Sequence, residues 1–104
     1  MPFAYPVSLE VSRRPVVVIG EDAVRHGKAD ALLAAGARVF VIASGPVESL
    51  ARLVEGGATI LRRAYRPGDL SGAFLCVASS NDPQEREAIF EEAEESRVLV
   101  NVMD

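Results

Sequence analysis

Four β-branched residues in a row, Val16, Val17, Val18 and Ile19, run straight into Gly20. A run with no polar face predicts a strand covered on both sides, and such strands belong to parallel sheets sandwiched between helices. The rest of the chain repeats this alternation. Over residues 22–35, Ala, Leu and Val recur at helical spacing around Arg25, Lys28 and Asp30, and Gly36 supplies a stop. Further strands are predicted at 37–43, 59–61, 73–78 and 98–102. A second helix is expected from Pro46 to about residue 55, ended by Gly56 and Gly57. Pro67, Gly68 and Gly72 mark 62–72 as a loop or one irregular helical turn. Asn81 or Asp82 is placed to cap a last helix with Pro83 in its first turn.

This order predicts an α/β fold in one domain over residues 1–104: a Rossmann-like doubly wound parallel sheet of about five strands with flanking helices. Sheets of this kind receive their ligand at the carboxyl ends of the strands, here at the switch point between the first and fourth.

The charge pattern narrows the partners. Eleven Lys and Arg are scattered along a chain of net charge −4, which argues against nucleic acid. The longest apolar runs, VVVI and VFVIA, fall far short of the ~20 residues a membrane helix needs. The start, MPFAYPVSLEVSRR, lacks the basic opening and apolar stretch of a secretory signal, so a cytoplasmic location is expected. Cys76, the one cysteine, lies in AFLCVA and reads as a buried small hydrophobe, so neither a disulfide nor a metal site is expected. His26 reads as a solvated helix residue. The five glutamates of EAIFEEAEES read as a solvated face, with Ile89, Phe90 and Ala93 turned inward.

The first strand ends where a dinucleotide fold carries G-x-G-x-x-G/A, whose glycines allow the tight turn, the approach of the pyrophosphate and close helix packing. The three positions here are Gly20, Asp22 and Arg25, so only the first is met. An acidic side chain beside a phosphate costs ~1 kcal/mol in water and ~4 kcal/mol at an effective dielectric of 20, so pyrophosphate contact in the usual pose should weaken. Two arrangements relieve this. Asp22 can cap the helix, folding onto the amides of Val24 or Arg25, or the cofactor can sit higher, against the amides of Ala23 and Val24, with Arg25 or Lys28 offsetting the charge. A plain helix start is the third reading. The second strand also lacks the acid that holds the adenosine ribose about 20 residues past the glycines. It continues as VIASGP, where Ser44 bonds a ribose hydroxyl or merely makes the turn.

Taken together, VVVIGEDAVRHGKADALLAAGARVFVIA, LRRAYRPGDLSGAFLCVASSNDP and VLVNVMD resemble the precorrin-2 dehydrogenase domain of siroheme synthases. That family shows a glycine triplet followed by V-A-x-[KR]-K, then LL-x-AGA-x-V-x-V-x-AP, then L-x-x-[AF]-L-V-x-AAT-[DN]-DP and finally NV-x-D. The resemblance implies oxidation of precorrin-2, a tetrapyrrole, to sirohydrochlorin with NAD as hydride acceptor, in some members with iron insertion, and it implies a homodimer. The family's catalytic aspartate falls on Asp104. Cofactor contacts fall on Gly20, Asp22, Ala23 and Val24 in the first turn, on Ser44 and Gly45 after the second strand, and on Ser79 and Ser80 after the fourth. Departures are Glu21 and Asp22 in the triplet, ASS for AAT at 78–80, and Arg86 for the usual Asn. The chain ends at Asp104, ahead of the family's dimerisation segment and helical domain. Two functions follow: an NAD-dependent precorrin-2 dehydrogenase, or a Rossmann-like module with a degenerate nucleotide site that serves as a structural or interaction domain.

Overall fold

The computed structural model describes residues 4–45, 48 and 50–103. Five strands lie in it: β1 (Pro15–Ile19), β2 (Arg38–Ile42), β3 (Thr59–Leu61), β4 (Leu75–Ser79) and β5 (Leu99–Met103). All pair in parallel in the order β3-β2-β1-β4-β5. The chain therefore winds outward from β1 in one direction and then, after β3, in the other. The switch point between the first and fourth strands is where the sequence places it.

Strand alternation makes two cores from one run of valines. Val16 and Val18 point to one face, where they join Val39, Val41, Ala23, Val24 and Leu53. Val17 and Ile19 point to the other, against Ile42, Leu70, Cys76, Ile89, Ala93 and Val98. Each such side chain, fully buried, contributes ~1.5–3 kcal/mol, so the β-branched run anchors both layers. Cys76 is buried, as expected of it.

The helices are α1 (Glu21–Arg25), α2 (Lys28–Ala34), α3 (Leu50–Glu55) and α4 (Pro83–Ser96). The single helix expected over 22–35 is thus two. Gly27 takes φ 76°, a left-handed conformation open to glycine, and its amide bonds back to the Val24 carbonyl before α2 restarts. Pro46, the expected start of the next helix, lies outside the described residues. At α4 the expected cap is Asp82, whose carboxylate accepts the Gln84 N–H at 2.9 Å, with Pro83 at the first helical position. Ile89 and Ala93, four apart, share the buried face, whereas Phe90 is rotated off it and stays 48% exposed, contrary to the inward position expected of it.

One glutamate of α4 also departs from the solvated reading. Glu92 turns under the β3–β4 crossover, where it accepts the Tyr65 hydroxyl and the amides of Gly68 (3.0 Å) and Leu70 (3.1 Å). Asp69 in the same segment holds Arg63 through two bonds of 2.8 Å and accepts the Arg66 amide at 2.7 Å. These carboxylates give a loop without regular structure a fixed course over the sheet face that holds Val17, Ile19 and Cys76, where Leu70 is buried and Tyr65 packs. No helix among the described residues is long and apolar enough to cross a membrane.

Candidate nucleotide-binding cleft

Above the carboxyl ends of β1, β2 and β4 opens a cleft of about 360 Å³. Its floor is Ile19, Gly20, Ile42 and Ala43; Ser79, Ser80, Asn81 and Asp82 form one wall, and Glu21, Asp22 and Arg25 form the head of α1. Arg63 and Tyr65 reach it from the crossover. Burial, then its hydrogen bond to Glu92, pushes the Tyr65 hydroxyl well above its usual range, so it stays protonated at neutral pH.

Gly20 is required here twice over. Its φ is 100°, and a Cβ on it would stand 2.2 Å from the Ser79 carbonyl oxygen and 2.4 Å from Ser79 Oγ. The bare backbone lets β1 turn against β4 and leaves the cleft floor open. Ser79 fixes that turn: its Oγ accepts the Ala23 N–H at 3.0 Å and donates to the Ile19 carbonyl at 3.4 Å. The Val24 amide is used as well, by the Gly20 carbonyl at 3.3 Å. Ala23 and Val24 are buried beneath the turn, so the arrangement in which their amides face a cofactor is not the one adopted. The amides of Glu21 and Asp22, one turn position earlier, bond nothing among the described residues.

Neither does Asp22 cap the helix. Gly20 is the N-cap residue, and among the described residues no side chain caps α1. Instead Asp22 Oδ1 pairs with Arg25 Nη1 at 3.2 Å. The two residues that break the glycine pattern thus meet each other, three positions apart on one helix face. Both are more than half exposed, which limits the pair to ~0.2–1 kcal/mol of stability. Its consequence is local: the arginine offsets the charge that would repel a phosphate.

Glu21 reaches a different partner. Its Oε1 accepts the Gly45 N–H at 2.7 Å, tying the first turn to the segment after β2. From sequence, Glu21 reads only as a lost glycine, although the middle position of G-x-G admits any side chain; a carboxylate next to a strand end that lacks one is the signal that points to this contact. Of the sequence-predicted contacts, Gly20, Asp22, Ser44, Ser79 and Ser80 line the cleft together. Ala23 and Val24 lie under it, and Gly45 meets it through Glu21. Arg63, Tyr65 and Glu85 are lining residues that motif reasoning misses, because the crossover and the α4 flank carry no nucleotide signature. Asp104 lies outside the described residues; β5, which precedes it, ends at Met103 in register with Ser79.

A parallel sheet wound in this order, with a glycine-floored cleft at its switch point, defines the Rossmann class of nucleotide-binding domains. Within that class, a family model described as "Putative NAD(P)-binding" matches residues 7–104, and the chain belongs to that family. Curated relatives include siroheme synthase 1 of Pectobacterium atrosepticum, 37% identical over 95% of this chain, and the siroheme synthase of Actinobacillus pleuropneumoniae serotype 3, 34% identical over the same share. The chain spans 21% of the length of each. Among solved structures it is similar to SirC, a precorrin-2 dehydrogenase, with a TM-score of 0.79 and 23% identity over 94% of this chain and 48% of that one. An imine reductase from Pseudomonas sp. matches with a TM-score of 0.56, at 21% identity over 88% of this chain and 41% of the other. These two likenesses establish the fold.

Proposed function

We propose that the chain is the dinucleotide-binding domain of an NAD-dependent precorrin-2 dehydrogenase, which converts precorrin-2 to sirohydrochlorin in siroheme biosynthesis. The observation that carries this reading is the cleft at the β1–β4 switch point, floored by Gly20 and headed by the unengaged amides of Glu21 and Asp22. Those residues fit a dinucleotide. A side chain at Gly20 would fill the floor, the two amides suit a pyrophosphate oxygen, and Arg25 keeps Asp22 from repelling it. The hydroxyls of Ser44 and Ser80 suit ribose or carboxamide oxygens along the same cleft.

NAD, when bound, supplies a hydride acceptor. Of the two hydrogens the tetrapyrrole loses, the one that leaves as a proton needs a base of the protein. We assign that proton to the Asp104 carboxylate, where the family motif NV-x-D falls; in sequence it directly follows Met103, the β5 residue in register with Ser79. A homodimer paired along β5, an edge strand of the sheet, belongs to the same reading.

The test is turnover under anaerobic conditions: precorrin-2 and NAD are mixed with the protein, and sirohydrochlorin absorbance is followed together with NADH fluorescence. The reading predicts that both rise in step, and that Asp104→Asn slows them by about 10²–10⁴-fold while NAD still binds. Precorrin-2 left unconverted in the presence of NAD contradicts it. A module with a decayed nucleotide site is the second reading, favoured by four carboxylates around the cleft: Glu21, Asp22, Asp82 and Glu85. It predicts that NAD leaves the melting temperature unmoved, whereas a ligand at about 100 times its dissociation constant stabilises by ~2.7 kcal/mol.

A further inference from the structure

Rossmann domains that bind an unphosphorylated dinucleotide hold the adenosine ribose with an acid at the end of the second strand. β2 has none: it ends at Ile42 and continues as Ala43, Ser44 and Gly45. A carboxylate stands at that strand end all the same. Glu21, from the head of α1, extends across the carboxyl ends of β1 and β2 and fastens Oε1 to the Gly45 amide at 2.7 Å. The absence of a side chain at residue 45 makes this possible, because a Cβ there would lie 2.3 Å from Oε1. The second oxygen, Oε2, bonds nothing among the described residues, and Glu21 lines the cleft beside Ile42, Ala43 and Ser44.

Resting on the dinucleotide reading above, we propose that Glu21 takes over from the missing strand-end acid: it accepts the adenosine ribose hydroxyls and selects NAD over its 2′-phosphorylated counterpart. A carboxylate has only lone pairs to offer, and a ribose diol has two O–H groups to give. One oxygen is anchored by Gly45, so the acceptor is oriented before the ligand arrives. A 2′-phosphate brings no matching donor at neutral pH and places a second anion against the first. The two arginines among the described lining residues already face carboxylates, Arg25 paired with Asp22 and Arg63 held twice by Asp69. The acids at Asp82 and Glu85 deepen the same bias.

The experiment is equilibrium titration of the full chain with NADH and with NADPH, read by the fluorescence of the reduced nicotinamide, for the natural protein and for Glu21→Gln and Gly45→Ala. The natural protein should bind NADH at least about tenfold more tightly than NADPH, the ratio expected from one close pair of like charges. Glu21→Gln keeps an oxygen for the Gly45 amide and loses the charge, so NADPH should tighten and the ratio collapse toward one. Gly45→Ala keeps the charge and pushes the carboxylate aside, so NADH should weaken several-fold. Equal affinity for the two dinucleotides in the natural protein, or a ratio unchanged in Glu21→Gln, overturns the role of Glu21 and leaves the dinucleotide reading standing. If neither dinucleotide binds the natural protein, the dinucleotide reading falls, and this inference with it.

Discussion

Gly20 carries the tightest steric constraint in the cleft, with a positive φ and the Ser79 backbone 2.2 Å from where its Cβ would be. Gly20→Ala should therefore destabilise the protein by more than about 2 kcal/mol, the sum of left-handed strain and the displacement of β4, read as a lower urea midpoint. Ser79→Ala acts on the same turn by another route. It leaves the buried Ala23 amide without its acceptor, which should cost about 1–3 kcal/mol. At this scale the sequence is half legible. A glycine that ends a buried strand announces its turn, and the missing second glycine announces a changed phosphate site. The pairing of Asp22 with Arg25 and the reach of Glu21 to Gly45 are not announced, because each depends on where the helix head and the β2 loop come to rest, and the second contact spans 24 positions of sequence.

Among the elements, the strands are legible and the helices less so. β1, β2, β4 and β5 fall within two residues of their predicted bounds and β3 coincides with them, since β-branched runs bounded by glycine and charge have few alternatives. The break between α1 and α2 escapes pattern reading because a helical spacing survives across Gly27, and one glycine inside such a pattern is ordinarily tolerated. Glu92 escapes for a different reason: among five glutamates, composition cannot tell which one turns under the crossover. Its three acceptor contacts make a clear prediction. Glu92→Ala should cost about 2–3 kcal/mol, as several partly buried donors lose one acceptor, and hydrogen exchange at the Gly68 and Leu70 amides should accelerate while the strands stay protected.

For the whole molecule, the titrating groups set a stability window in pH. Asp69, held by the Arg63 guanidinium and then by the Arg66 amide, ionises below the usual carboxylate range. Its contribution is present above the unfolded value of about 3.9 and is lost as pH falls through the lower folded value. Burial pushes the Cys76 thiol up to about 12. That contribution is complete below the unfolded value of about 8.5 and fades as pH rises from there toward the folded one. Urea midpoints measured across pH should be flat near neutrality and fall on both sides. Asp69→Asn should flatten the acid limb, and Cys76→Ala the alkaline one.

On the proposed function, the switch-point cleft of this sheet receives a dinucleotide through the main chain at the head of α1. Backbone amide resonances recorded during an NAD titration test it most directly. Saturable shifts are expected at Gly20, Glu21, Asp22, Ser79 and Ser80, with Val16 and the last turn of α4 unmoved. Resonances of the α1 head that stay still at millimolar NAD, or shifts gathered at another part of the sheet, would contradict it.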